Sequence, residues 1–132
     1  MTRLVTYVDI DDQQPYPGFH VKARHELELD DGTRVLLLDD RGWSASPWTP
    51  MSMEEIEGLT RMVVGPDEPF GDMSREDMAA DHWATLQRTA LQQGVFVQAT
   101  ELRQLPHDVI LTQRLLARVG RGPTQEERDH FL

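Results

Sequence analysis

The chain has 132 residues, a formal net charge of −10 and no cysteine. Its length is typical of one domain, and the lack of cysteine excludes a disulfide scaffold, a cysteine-bound zinc and a thiol nucleophile. The acidic balance disfavours binding to DNA or RNA, because recognition of a phosphate backbone requires a basic surface.

Composition also gives expectations about origin and location. Lysine occurs once, arginine twelve times and asparagine not at all, a bias typical of high-GC bacterial genomes. The first residues lack the apolar stretch of a signal peptide, and no apolar run approaches the ~20 residues that span a bilayer. We therefore expect a cytoplasmic protein with no membrane partner.

The N-terminal third predicts strands. Apolar and β-branched residues make Arg3–Ile10 the first of them, and strict alternation of apolar and polar residues over 19–29 predicts the second. Asp31 and Gly32 are a pair typical of a type I′ hairpin turn, which predicts a return strand over 34–39. The following segment, 43–50, is rich in proline and tryptophan and predicts a turn-rich connection.

Two capping-box patterns predict the main helices. Ser52 with Glu55 begins a helix over Met53–Val63, and Ser74 with Asp77 begins a longer helix over 75–93. Gly94 is the residue type expected just after the C-terminus of the longer helix.

Shorter elements are expected in the last third. The β-prone run 95–98 predicts a short added strand, and 100–105 predicts one helical turn that Pro106 ends. Asp108 suits the N-cap of a last main helix over 109–119. Thr124 and Glu127 predict a short terminal helix or a frayed tail over 123–132.

Strands come before helices along the chain, which predicts an α+β fold. We expect a single domain over 1–132. Its antiparallel sheet would have three to four strands, including an N-terminal hairpin, with two to four helices packed on one face.

Charge is distributed unevenly along the chain. Residues 50–81 hold nine acids and two bases, whereas residues 82–122 carry a small positive excess. An acidic surface steers and pairs with basic proteins, so the leading hypothesis is a non-enzymatic interaction module that binds a basic partner, as antitoxins and immunity proteins do. The candidate contact residues are the acids and apolar anchors of this region: Glu54, Glu57, Asp67, Glu68, Asp72, Trp48, Phe70 and Met73.

The alternative hypothesis is a small enzyme or ligand-binding protein. Its pocket would lie between the sheet and the helix over 74–93, with four polar residues near its mouth: Asp77, Asp81, His82 and His107. No serine stands in a nucleophile motif, so no catalytic residue is assigned. Acids near a helix N-terminus are expected on dipole grounds alone, so no metal ligand or cofactor is assigned either. Self-association into a homo-oligomer is a third option.

Overall fold

A computed structural model of the protein describes residues 2–13, 18–45 and 51–117. The described residues form an α+β fold, with a four-stranded sheet and four helices. In chain order the elements are β1 (Arg3–Ile10), β2 (Phe19–Glu28), β3 (Arg34–Ala45), α1 (Met53–Val63), α2 (Arg75–Gln92), α3 (Ala99–Gln104), β4 (His107–Leu111) and α4 (Gln113–Leu116). The terminal helix or tail expected over 123–132 lies outside the described residues.

The sheet has the strand order β3-β2-β1-β4. The pairs β1–β2 and β2–β3 are antiparallel, and β2 and β3 form the expected N-terminal hairpin. The sheet is nevertheless mixed, because β4 lies parallel to β1, with Leu4 opposite His107 and Thr6 opposite Val109. A parallel partner that arrives about a hundred residues later leaves no local signal in the sequence.

The hairpin turn differs from the predicted type. A type I′ turn requires positive φ at both central residues, yet no non-glycine residue of the described ranges has positive φ. Gly32 alone has it here, at 86°, and its N–H donates to the carbonyl of Leu29. The connection is therefore a three-residue loop that ends in a glycine bulge.

Strand β3 continues six residues beyond its predicted end. Trp43 and Ala45 alternate onto the same face and pair with Val21 and Phe19, so the first three residues of the segment expected to be a turn extend the sheet, and the rest of it lies outside the described residues. Gly42 permits this extension, because a Cβ at this position would lie 2.5 Å from the carbonyl oxygen of Val21.

Replacement of Gly42 with alanine should therefore lower the free energy of unfolding by about 1–3 kcal/mol, since the clash is with backbone that cannot move without separating two strands. Gly58 is the matched control: it lies in α1, and apart from the adjacent residues and the backbone of its own helix no atom lies within 4 Å of its Cβ position. There, Gly58→Ala should raise the free energy of unfolding by up to ~1 kcal/mol through helix propensity. Urea unfolding of both variants measures the difference, and equal stability of the two would contradict the strand packing.

The two main helices begin as the sequence predicts. Ser52 and Glu55 form a full capping box at the start of α1, and Ser74 and Asp77 form one at the start of α2. Gly94 follows α2 with φ of 84°, as expected for a glycine that ends a helix. Within the described ranges, no helix has the length and apolar character needed to cross a membrane.

Two predictions for the last third are wrong. Residues 95–98 form no strand, and Phe96 among them is 90% exposed. Asp108 caps no helix: it lies in β4, and its carboxylate accepts a 2.7 Å hydrogen bond from Arg3. The helix begins later, at Gln113, where the Thr112 side chain is the N-cap. Parallel pairing with β1 thus outweighs the local capping preference of Asp108.

The core lies between one face of the sheet and the helices. Leu4 of β1 and Leu27 of β2 pack against α2 and α3, while Val8 and Val21 pack against α1 and α4. The opposite face is richer in charged residues, with one ion pair between β1 and β2, Arg3–Glu28, and one along β2, Arg24–Glu26. The start of the connection between α1 and α2, at Gly65 and Pro66, lines the same cavity as Leu4 of β1 and His107 of β4.

Candidate functional site

The predicted contact residues lie mostly on the surface of α1 and of the connection between α1 and α2. Glu54 is exposed in the first turn of α1, and Glu57 is half-buried. Asp67, Glu68 and Asp72 are exposed, and Phe70 is 67% exposed, whereas Met73 is half-buried. Trp48 lies outside the described residues.

Two of these acids border the same groove. The acidic groove, as we name it, has a volume of about 300 Å³ and is lined by Arg41, Gly42, Met62, Val63, Pro66, Asp67 and Glu68. Met62 is 70% exposed, so a flexible apolar side chain stands beside the two carboxylates. Of the other predicted contact residues, those that the structure describes do not line this groove.

The charges of the groove are partly balanced within the protein. Asp67 accepts a 2.9 Å hydrogen bond from Arg41, whose guanidinium also donates to the carbonyl of Val63. Among the described residues, Glu68 has one ion-pair partner, Arg75 at 3.5 Å, and both side chains are at least 80% exposed. Exposed pairs of this kind contribute only ~0–1 kcal/mol. Glu68 can therefore exchange Arg75 for another cation at little cost.

A second site lies under the helices. We call it the histidine cavity: a volume of about 190 Å³ lined by Leu4, His25, Arg61, Val64, Gly65, Pro66, Trp83 and His107. The sheet supplies Leu4, His25 and His107, the end of α1 and the residues after it supply Arg61 to Pro66, and α2 supplies Trp83. It thus lies between the sheet and the helix of the alternative hypothesis, with the end of α1 as a third wall.

A buried hydrogen-bond chain forms the floor of this cavity. Thr6 Oγ1 lies 2.7 Å from His25 Nδ1 and 2.7 Å from His107 Nε2. The hydroxyl has a single proton, so it donates to one imidazole and accepts an N–H from the other. The tautomer of one ring therefore determines the tautomer of the other. The two rings also pack edge to face, with their centroids 5.1 Å apart.

Burial makes these imidazoles poor bases. It lowers the pKa of His25 to about 3, with smaller effects from His107 and His82, and it lowers the pKa of His107 to about 4. The Arg61 charge lowers the His107 pKa further, while Asp108 opposes the shift. Both rings are thus neutral at pH 7.

Of the four residues predicted near a pocket, only His107 lines the cavity. The Asp77 carboxylate accepts from the Ser74 N–H in the capping box of α2, and Asp81 is exposed. His82 is half-buried, and its Nε2 has no hydrogen-bond partner among the described residues. Its pKa is lowered, first by burial and then by Arg41, against the effect of Asp67 and Asp81.

Sequence reasoning missed three polar residues here: Thr6, which bonds to both imidazoles, and His25 and Arg61, which line the cavity. Thr6 and His25 each stand among apolar residues on the inward side of a strand. This pattern was the available sequence signal for a buried polar contact. Their contact requires the β1–β2 register, in which Thr6 lies opposite His25. In the part of the chain that the structure describes, no three His, Asp or Glu side chains are placed to hold a metal ion.

Comparison with protein-family models, with curated proteins and with solved structures finds no match to this chain. Site geometry therefore provides the basis for a functional assignment.

Proposed function

We propose that the protein is an interaction module that binds a basic segment of another protein in the acidic groove. The observation that carries this proposal is the position of Met62, which stands exposed beside the carboxylates of Asp67 and Glu68. Lysine and arginine place their aliphatic stem on apolar surface and keep the charged end in a polar environment. The groove offers Met62 for the stem and the carboxylates of Asp67 and Glu68 for the charge.

Charge supports the same choice of partner. Two carboxylates and one guanidinium line the groove, and the chain as a whole carries −10. The arginine of the groove is already engaged by Asp67, whereas the exposed pair of Glu68 with Arg75 is weak. An incoming guanidinium would thus displace Arg75 from Glu68 and lay its stem on Met62. Inhibition of a basic partner, as by an antitoxin or an immunity protein, is the biological role that fits this chemistry.

The experiment uses a labelled peptide of alternating arginine and leucine, and the same peptide with neutral citrulline in place of arginine. Fluorescence anisotropy follows binding to the full chain at ~0.05 M and ~0.5 M salt, which bracket weak and strong screening. We expect the arginine peptide to bind at low salt and to weaken at high salt, and the citrulline peptide to bind more weakly at both.

Variants locate the binding surface. Glu68→Gln should weaken arginine-peptide binding about two- to fivefold, as expected for an exposed charge pair worth ~0.5–1 kcal/mol. Met62→Ser should weaken binding of both peptides. Glu101→Gln is the matched control, because Glu101 is an exposed acid of α3 outside the groove. An equal loss in Glu68→Gln and Glu101→Gln would mean that only net charge matters, and would reject the groove.

A photo-cross-linking residue then identifies the partner in cells. It is placed at Met62 or, as the control, at Phe96, which is even more exposed but lies in the segment before α3. A basic protein cross-linked from position 62 and not from position 96 is the expected result. Identical products from both positions would contradict a specific docking surface.

A further inference from the structure

Arg61 differs from most arginines of the protein in its partner. Among the described residues, seven arginines form ion pairs with carboxylates: Arg3, Arg24, Arg34, Arg41, Arg75, Arg103 and Arg114. Arg61 forms none with a described residue, and one of its terminal nitrogens donates to the backbone carbonyl of His107 at 2.8 Å. A carbonyl orients a guanidinium without neutralising it, so Arg61, which is exposed, presents at the histidine cavity a charge that no described carboxylate pairs.

The other lining groups do not compensate this charge either. His25 and His107 are neutral at pH 7, and the remaining side chains of the lining, Leu4, Val64, Pro66 and Trp83, are uncharged. Arg61 is therefore the single formal charge among the lining residues. Its planar fork matches a carboxylate, which can accept two of its N–H groups.

The size of the cavity limits the ligand. An apolar protein cavity of about 150 Å³ accommodates benzene, and the histidine cavity has about 190 Å³. It can thus take a ring, or an aliphatic group of similar size, with one carboxylate attached. Leu4, Val64 and the indole of Trp83 provide apolar contacts for that body.

We propose that the histidine cavity binds a small organic monocarboxylate, with its carboxylate on Arg61 and its apolar body against Trp83 and Leu4. The guanidinium would repel a cationic ligand, and a dianion would find only this one cation among the lining residues to pair with. The cavity and the acidic groove share Pro66 in their lining, but the two proposals rest on different side chains, Arg61 here and Glu68 with Met62 there, so either can fail while the other stands.

Benzoate is the probe, and benzamide, which has nearly the same shape and no charge, is its matched control. Titration of the full chain, followed by the NMR signals of the Trp83 indole and the His25 and His107 rings, gives both affinities. We expect benzoate to bind at least about tenfold more tightly than benzamide, a difference of ~1.4 kcal/mol. The shifted signals should be those of Trp83, His25 and His107.

Substitutions assign the preference to one guanidinium. Arg61→Gln should remove the preference for benzoate and leave weak binding of both compounds. Arg88→Gln is the control, because Arg88 is an exposed arginine of α2 that donates to Thr85 and forms no ion pair with another described residue. This variant should keep the preference of the unmodified protein.

The proposal is overturned by any of three results: no benzoate binding at ~10 mM, equal affinity for benzoate and benzamide, or the same loss in both arginine variants. If Arg61→Gln does not fold, the test is the set of NMR signals that benzoate shifts in the unmodified protein. Signal changes centred on Trp83 and His107 support the site, and changes confined to other residues overturn it.

Discussion

Replacement of Thr6 with valine should lower the free energy of unfolding by about 2–4 kcal/mol, because it leaves buried imidazole nitrogens without their partner. Valine has nearly the shape of threonine, so the packing around β1 is conserved and the loss is that of hydrogen bonding. His25 is only 2% exposed, so water cannot replace the hydroxyl at its Nδ1. His107 is half-buried and recovers part of its loss from solvent, which is why the expected cost is less than that of two fully buried groups.

The control for this substitution is Thr60→Val. Thr60 is also fully buried, but its hydroxyl accepts one longer hydrogen bond, 3.3 Å from Trp43 Nε1. We expect a cost of about 1 kcal/mol there, the usual net value of one hydrogen bond. Urea unfolding followed by circular dichroism at pH 7 gives both free energies, provided that the slope of the free energy of unfolding against urea concentration is the same in the variants and the unmodified protein. If Thr6→Val costs no more than Thr60→Val, the chain from His25 through Thr6 to His107 does not stabilise the fold.

The elements that the sequence predicts well are those set by local chemistry. Strand β1 and helix α1 have the expected bounds, because alternation and a capping box act within a few residues. Helix α2 differs by one residue at its C-terminus, where Gly94 follows. In each case the signal and the structure that it determines lie in the same short segment.

The failures involve partners that are distant in sequence. The sequence around Asp108 is typical of an N-cap, but β4 lies beside β1, and the Asp108 carboxylate accepts a hydrogen bond from Arg3 instead. Trp43 looks like a loop residue, but it packs edge to face on Phe19 once β3 is extended along β2. The role of Asp108 and the conformation of Trp43 both depend on the sheet register, and no local sequence pattern specifies that register.

The candidate sites divide in the same way. Asp67 and Glu68 could be selected from charge alone, because acids are mostly exposed in folded proteins. Met62 could not, since helical periodicity is compatible with a place in the core and only the packing of α1 exposes it. The histidine cavity requires β1, β2, β4 and both main helices together, so its members are scattered along the chain from Leu4 to His107.

A fall in pH from 7 to 5 should lower the free energy of unfolding by about 2–4 kcal/mol. In the folded protein burial lowers the pKa of His25 to about 3 and that of His107 to about 4, whereas an unfolded histidine has a pKa near 6.5. The unfolded chain therefore binds more protons than the folded chain below about pH 6.5, and stability falls with pH. The loss begins as pH falls through about 6.5 and ends below the folded pKa values.

Carboxylates contribute in a separate window. The hydrogen bond from Arg114 holds the pKa of Asp9 at about 2, so its stabilising effect is complete above its unfolded value and is lost only in stronger acid. Between pH 7 and 5 the histidines thus dominate the pH dependence of stability.

His25→Asn tests this assignment. It retains an amide near the position of Nδ1 and removes one titrating ring, so it should reduce the slope of the free energy of unfolding against pH by up to ~1.4 kcal/mol per pH unit. Thr60→Val provides the comparison, because it lowers stability without removing an imidazole. If the two variants have the same slope as the unmodified protein, His25 is not kept neutral by burial, and the neutral lining of the histidine cavity, on which the role of Arg61 as its single charge depends, would be wrong as well.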